Sequence, residues 1–306
     1  MGAPPFITAD DVAGRLDWLR MTEAIAAGHR LPPAVLGDTF LRRGDDTLLS
    51  RSAWIDGMGA AVKSVIVCPG NHDRGLAAVN GAMLIFDDAT GQVEAIIDSA
   101  LITAWKTAAD SLLGARLLAR SDSRRLLILG AGVVAANLID AYRAGFPNIE
   151  IAVWNRTTAR AEALAEKTGI SVAGDLPAAV AKADIVATAT MSSTPVLEGA
   201  WLQPGQHLDL IGAYRADMRE ADDAVLGRAR IFVDSFETTL DHIGELKDPL
   251  ARGVIARSDV LGDLHDLVAG RVGRRGSEEI TMFKNGGGAH LDLMVGREIL
   301  AAWRRT

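Results

Sequence analysis

The spacing of apolar positions along the chain changes twice. Between residues 9 and 30, Val12, Leu16, Leu19 and Ile25 recur near a helical period behind Thr8, Ala9 and Asp10, which predicts one amphipathic helix there. From residue 38 to 98 the pattern shortens to strand-like runs at 47–50, 60–67, 81–86 and 93–97. Gly44-Asp45-Asp46, Pro69-Gly70-Asn71 and the polar stretch 87–91 are turn signals between them, so an antiparallel sheet is expected in the first hundred residues. Residues 101–119 read as a long helix rich in alanine and leucine. The polar stretch 120–125 that follows marks a domain boundary.

Beyond it, short apolar runs at 126–129, 149–154, 185–190, 207–211 and 231–233 alternate with helical segments such as 135–144 and 158–168. Such runs suit parallel strands covered on both faces. Their alternation with helices predicts an α/β class: a Rossmann doubly wound parallel sheet, joined to an α+β domain with a mainly antiparallel sheet. The domains expected are 1–118, 119–290, and a C-terminal helix over 291–306.

The strand Leu126-Leu127-Ile128-Leu129 runs straight into Gly130-Ala131-Gly132-Val133-Val134-Ala135, a GxGxxA turn that opens a helix. Gly130 permits the tight turn, Gly132 lets the backbone approach a pyrophosphate, and the small Ala135 lets helix and sheet pack closely. Free N–H groups at the helix start favour phosphate, so a dinucleotide site is predicted. At the end of the next strand stand Val153-Trp154-Asn155-Arg156-Thr157, with Arg160 one turn on. No carboxylate is there to take a ribose 2′-hydroxyl. Arg156 can stack on adenine and pair with a 2′-phosphate, while Asn155 and Thr157 can donate hydrogen bonds; the reading is NADP(H) preferred over NAD(H). The alternative leaves Arg156 as a solvated loop residue. Thr190 and Ser192 lie at a strand's carboxyl end, where open parallel sheets bind ligands, and are further cofactor candidates.

Composition narrows the function classes. The 306 residues are 49% hydrophobic and 23% charged, as in an ordinary globular protein. With 32 basic and 39 acidic residues the net charge is -7, so nucleic acid and anionic membrane are not expected partners. Cys68 is the single cysteine, which excludes an intramolecular disulfide and a cysteine-rich metal site, and fits a reducing cytoplasmic setting. No secretion signal and no apolar run of roughly 18 residues is present, so the chain is expected to stay soluble where it is made. His242 and Glu245 have helical ligand spacing, but no third ligand accompanies them; they read as a solvated helix end, and no metal is expected. Cys68 reads as a strand residue without a chemical role. His290 and Asp292 follow the glycine run: His290 reads as a capping or core-edge residue, and Asp292 either as its partner there or as a group for proton transfer.

Several ordered segments resemble the ornithine cyclodeaminase and mu-crystallin family along nearly the whole chain. They are Ala61-Val62-Lys63 with Pro69-Gly70-Asn71, Leu84-Ile85-Phe86-Asp87 with Thr90-Gly91, and Leu101-Ile102-Thr103-Ala104-Trp105-Lys106-Thr107-Ala108-Ala109, where Lys106 stands in place of the family's arginine. Ile243-Gly244-Glu245-Leu246 and Glu279-Ile280-Thr281-Met282-Phe283-Lys284-Asn285-Gly286-Gly287-Gly288 complete the likeness. The resemblance implies a homodimer whose residues 1–118, with the returning helix 291–306, build a substrate and dimerisation domain, while 119–290 bind the nucleotide. It implies hydride transfer to or from the α carbon of amino acids or cyclic imines. Lys63 and Asp292 become the catalytic candidates; Arg51, Lys63, Lys106, Tyr214 and Gly286 the substrate contacts. Lys106, Thr107, Ile211, Gly212, Ala213 and Asn285 join Gly130, Ala131, Gly132, Val133, Val134, Asn155, Arg156, Thr157, Arg160, Thr190 and Ser192 as cofactor contacts.

Departures from the family pattern carry information. An arginine often found before the lysine strand falls near Asp38, and Arg51 is the residue that can replace its charge. Val134 stands where a glutamine often follows the glycine pair. Tyr214 stands where cyclodeaminases carry an aspartate. Cyclodeamination needs a carboxylate to shuttle protons between two nitrogens, and a tyrosine with an ordinary pKa of about 10 is a poor substitute. The reading is therefore a ketimine reductase acting on 1-pyrroline-2-carboxylate or 1-piperideine-2-carboxylate, giving proline or pipecolate. The alternatives are an ornithine cyclodeaminase or amino-acid dehydrogenase, and a non-catalytic NADP(H)-binding protein like mu-crystallin.

Overall fold

The computed structural model describes residues 3–305, leaving aside the side chains of 72 and 73. The chain divides into two compact units, Met1–Lys106 with Gly288–Thr306, and Thr107–Gly287.

The first unit contains β1 (Phe6–Ile7), α1 (Trp18–Gly28), β2 (Val35–Arg43), β3 (Asp46–Ile55), β4 (Gly59–Val67), β5 (Val79–Phe86), β6 (Val93–Asp98) and the start of α2 (Ser99–Leu118). Its six-stranded sheet runs in the order β1-β6-β5-β4-β3-β2, with antiparallel neighbours except for β1, which lies parallel to β6. Along β4 the buried positions alternate, so Gly59, Ala61, Lys63 and Val65 share the inner face. The charge of Lys63 is thereby carried inward by the strand's own period.

Two local expectations change. Instead of one helix over 9–30, a single helical turn at Asp10–Val12 ends before Gly14, whose φ of 71° no right-handed helix can accommodate. The helix restarts where the Asp17 carboxylate accepts the Arg20 N–H at 2.9 Å. Strand β2 was not expected at all. It is an edge strand with almost every residue exposed, so it shows no inside-outside alternation; its ladder to β3, from Val35 opposite Trp54 to Arg43 opposite Asp46, defines it instead.

The second unit follows the rest of α2 with β7 (Arg125–Leu129), α3 (Val133–Gly145), β8 (Glu150–Trp154), α4 (Thr158–Thr168), β9 (Ser171–Val172), α5 (Leu176–Lys182), β10 (Ile185–Thr188) and β11 (His207–Leu210). Then come α6 (Asp223–Arg228), β12 (Ala229–Val233), α7 (Phe236–Thr239), α8 (Gly244–Ala251), α9 (Leu264–Val268) and β13 (Ile280–Lys284). The sheet is parallel throughout, in the order β12-β13-β11-β10-β7-β8-β9. The chain leaves β7 toward β8 and β9, then returns to the other side of β7 as β10. That reversal puts the glycine turn after β7 at the switch point, where doubly wound sheets bind ligands. Leu127, Leu129, Val186, Leu208, Leu210 and Met282 fill one face of the sheet with Val225 and Leu226 of α6. Strand β13, not anticipated as a strand, is buried at all five positions between β11 and β12.

The last helix, α10 (Ala289–Arg304), belongs to the first unit, where it packs on α1 and across β3 and β4. A Cβ on Gly28 of α1 would lie 2.5 Å from the Met294 side chain, which shows how close the two helices come.

In the second unit Gly114 of α2 meets the ring of Phe283, 2.5 Å from where a Cβ would stand. Gly114→Val should therefore overpack this contact and lower stability by about 1 to 3 kcal/mol. Urea unfolding should show a lower midpoint with an unchanged slope, and an unaltered midpoint would mean that the contact yields freely.

Candidate functional site

The first unit brings together three groups that lie far apart in sequence. Lys63 comes from the inner face of β4, Lys106 from the second turn of α2 and Asp292 from the first turn of α10. Each lysine Nζ stands 2.8 Å from the same oxygen, Asp292 Oδ1, and the side chains are only 9%, 10% and 1% exposed. Asp292 Oδ2 is buried without a hydrogen-bond partner. Burial, reinforced by the charge of Lys106, pushes the Lys63 ammonium down to about 8 despite the opposing carboxylate. Burial alone would raise Asp292, but Lys106 and Lys63 outweigh it and hold the carboxyl down at about 2. Two cations thus face one anion in a nearly dry place, and the surplus positive charge calls for a further anion.

Arg51 of β3 is the ladder partner of Lys63, and Asp38 of β2 is the ladder partner of Arg51. The guanidinium is paired with Asp38 Oδ2 at 2.9 Å, so Arg51 adds positive charge beside Lys63 while Asp38 balances it. His290 is buried and meets the His29 ring edge-on, with centroids 5.7 Å apart.

In the second unit a groove of about 520 Å³ lies at the carboxyl ends of β7, β8 and β10. Gly130, Ala131, Gly132, Asn155, Arg156, Thr157, Arg160, Thr190 and Ser192 all line it, and no carboxylate does. Gly130 has φ 114°, and a Cβ there would lie 2.5 Å from the Ala189 carbonyl oxygen, whereas a Cβ on Gly132 would point into open space. Gly132 caps α3 without a side-chain hydrogen bond, Val133 is exposed and Val134 half-buried, so the helix start keeps open N–H donors for an anion. Asn155 Nδ2 donates to the Thr157 carbonyl at 2.9 Å and shapes the loop that carries the exposed Arg156 and Arg160. These features fit the phosphates of a nicotinamide nucleotide.

The remaining candidates lie elsewhere in the second unit. Ile211, Gly212 and Ala213 follow β11 and are not among the groove's lining residues. The N–H groups of Gly212 and Ala213 go to Glu220 Oε2, and the Thr190 N–H and hydroxyl go to Glu220 Oε1. Asn285 Nδ2 donates to the Thr107 carbonyl and the Ser111 hydroxyl, both at 3.4 Å. The Gly286 N–H donates to Asp234 Oδ2 at 2.8 Å. Tyr214 is 56% exposed, with the Arg215 guanidinium 5.5 Å from its ring centroid.

Glu245 corrects one reading. It is no solvated helix end but fully buried, and its carboxylate accepts the N–H groups of Glu220 and Ala221 at 2.8 and 3.0 Å. Burial raises it to about 7. His242 is exposed on the same turn, so the two do not converge. Glu220, Asp234, Asp209 and Lys284 are buried charged residues that pattern reading passed over. Asp209, a lone acid inside the expected strand run 207–211, was the visible signal among them. Cys68 lies just past β4, where its N–H donates to the Ala78 carbonyl. Among the described residues, no group of three His, Cys, Asp or Glu is arranged to hold a metal ion, and no helix is long and apolar enough to cross a membrane.

The model of the ornithine cyclodeaminase/mu-crystallin family matches residues 50–306. The chain belongs to that family. It is 56% identical to Delta(1)-pyrroline-2-carboxylate reductase of Paracoccus denitrificans, over 96% of this chain and 95% of that protein. It is 32% identical to mouse ketimine reductase mu-crystallin, over 79% of this chain and 75% of that protein. Among solved structures it resembles Thermococcus litoralis Delta(1)-pyrroline-2-carboxylate reductase in complex with NADH and L-proline, with a TM-score of 0.88 and 28% identity, covering 97% of this chain and 96% of that one.

Asp292→Asn should cost about 3 to 5 kcal/mol, because it leaves two buried ammonium groups without their counter-charge. The Asp292 carboxyl is lower in the folded chain than its ordinary 3.8, so its contribution is complete above that value and is lost as pH falls toward about 2. Denaturation across this range should show the gap between the native chain and the variant shrinking only below about pH 4. A gap that persists unchanged in acid would remove charge as its cause.

Proposed function

We propose that this protein is a nicotinamide-dependent oxidoreductase of C=N bonds that reduces small cyclic imino acids, 1-pyrroline-2-carboxylate to proline or 1-piperideine-2-carboxylate to pipecolate. The carrying observation is the buried Lys63–Asp292–Lys106 cluster with its surplus positive charge. A carboxylate entering beside two ammonium groups completes their neutralisation and is held by charge-assisted hydrogen bonds, which fixes the adjoining C=N carbon in place. Asp292, ionised down to about pH 2, aligns the two ammonium groups and is too acidic to carry the imine's proton. Lys63, near 8, is the group matched to hold or give a proton around neutral pH. A reduced nucleotide bound in the glycine-loop groove supplies the hydride.

The groove supports a preference for NADP(H): Arg156 and Arg160 line it, and no carboxylate is present to repel a 2′-phosphate. Tyr214 supports reduction over cyclodeamination, since a phenol there does not provide the carboxylate that moves protons between two nitrogens. A homodimer is supported by the first unit's exposed Phe40, Leu41, Leu48 and Trp54, apolar side chains that a second copy would cover.

NADPH oxidation with either imine tests the reaction directly. Its kcat/KM should fall as pH rises through about 8, because Lys63 then loses the charge that holds the substrate. A profile flat to about pH 10 would sink that assignment. Lys63→Met, similar in length but uncharged, should lose roughly tenfold to a hundredfold in kcat/KM, as expected for one charge-assisted contact. Failure with every cyclic imine would favour a binding protein, and ammonia release from ornithine would refute the reductase reading. NADPH should also bind more tightly than NADH, with the difference lost in Arg156→Ala; equal affinities in the unmodified protein would overturn the cofactor preference.

A further inference from the structure

We infer that Glu220, which is not among the residues lining the glycine-loop groove, is a positioning residue for the nicotinamide half of the nucleotide. The inference rests on the reading of the glycine-loop groove as a nucleotide site. Glu220 is fully buried, yet its carboxylate meets no lysine or arginine at salt-bridge distance among the described residues. Five donors hold it instead. Oε1 takes the Thr190 N–H and hydroxyl, both at 2.7 Å; Oε2 takes the Thr188 hydroxyl at 2.8 Å and the N–H groups of Gly212 and Ala213 at 2.6 and 3.2 Å. One side chain therefore ties the segment after β10 to the segment after β11.

These segments meet closely. A Cβ on Gly212 would lie 1.9 Å from the Thr190 carbonyl oxygen and 2.5 Å from Glu220 Oε1, so only glycine fits between strand end and carboxylate. The clamp is itself anchored on both flanks. The Arg219 N–H donates to the Ser192 carbonyl at 3.2 Å, the Glu220 carbonyl accepts from Val196 and Leu197, and the Glu245 carboxylate holds the Glu220 and Ala221 N–H groups. A bare surface turn would need none of this. A buried carboxylate whose hydrogen-bond partners are all N–H and O–H groups keeps them in one geometry, because any movement leaves a buried charge under-solvated.

Sheet order says which half of the nucleotide this geometry serves. β8, with Arg156 and Arg160 after it, flanks β7 on one side, and β10 and β11 flank it on the other. A dinucleotide whose pyrophosphate lies on the turn after β7 and whose adenosine lies toward β8 extends its nicotinamide over the ends of β10 and β11. Glu220 fixes the backbone there from beneath, without touching the ring.

The test is Glu220→Gln, which keeps the shape but turns an amide NH₂ toward at least one backbone N–H. Affinity for NADPH and for NADH should weaken on the order of tenfold to a hundredfold, the cost of misplacing charge-assisted contacts. The corresponding fragments lacking nicotinamide, 2′-phospho-ADP-ribose and ADP-ribose, should bind as they do to the unmodified protein. Thr188→Val, a buried strand change that removes one donor and does not line the groove, should give the same pattern with a several-fold loss, and serves if Glu220→Gln does not fold. Equal weakening of dinucleotides and fragments would reduce Glu220 to a structural residue, and unaltered dinucleotide binding in both variants would overturn the assignment outright. An unmodified protein that binds neither dinucleotides nor fragments would instead remove the nucleotide reading beneath it.

Discussion

Charge held away from water governs both halves of this chain, and each half solves the problem differently. In the first unit two ammonium groups converge on one carboxylate oxygen, and the balance is left incomplete. In the second, Glu220 and Glu245 are satisfied by backbone and hydroxyl donors, with the buried Lys284 as the nearby cation. An incomplete balance favours an arriving anion, whereas a complete one favours rigidity. Under the proposed function, the contrast separates a pocket that accepts an anion from a frame that holds its shape.

The frame explains how ordinary loops can present a nucleotide groove. The turn after β7 is held by its glycine geometry, the loop after β8 by Asn155 on the Thr157 carbonyl, and the segments after β10 and β11 by Glu220. Each device is short-range. None depends on a large apolar contact, while the strands below them carry the hydrophobic core.

Much of this was legible in the sequence because it rests on period or on glycine. The parallel strands show as apolar runs, and the glycine turn shows as a motif whose strand and helix stand where the physics needs them. Lys63 was conspicuous as a lone charge in an apolar strand, though the sequence left open whether it points to solvent, and the fold turns it inward. What stayed hidden depends on partners distant along the chain: β2 owes its existence to β3, and β13 reads as a strand only once β11 and β12 flank it. Glu245 looked solvated because helical spacing says nothing of the backbone that its carboxylate meets. Asp292 was a candidate from its place after the glycines, but only the fold brings it to both lysines.

Strand β13 has a consequence for how the protein is made. It comes last in chain order among the strands of this sheet, yet it sits inside it, between β11 and β12. Until residues 280–284 leave the ribosome, β11 and β12 present open edges, and such edges invite pairing with other chains. A few residues later α10 delivers Asp292 to two lysines that were made long before. Residues 280–292 thus complete the sheet of one unit and bring the counter-charge to the two lysines of the other, so neither unit is whole until this stretch has been made.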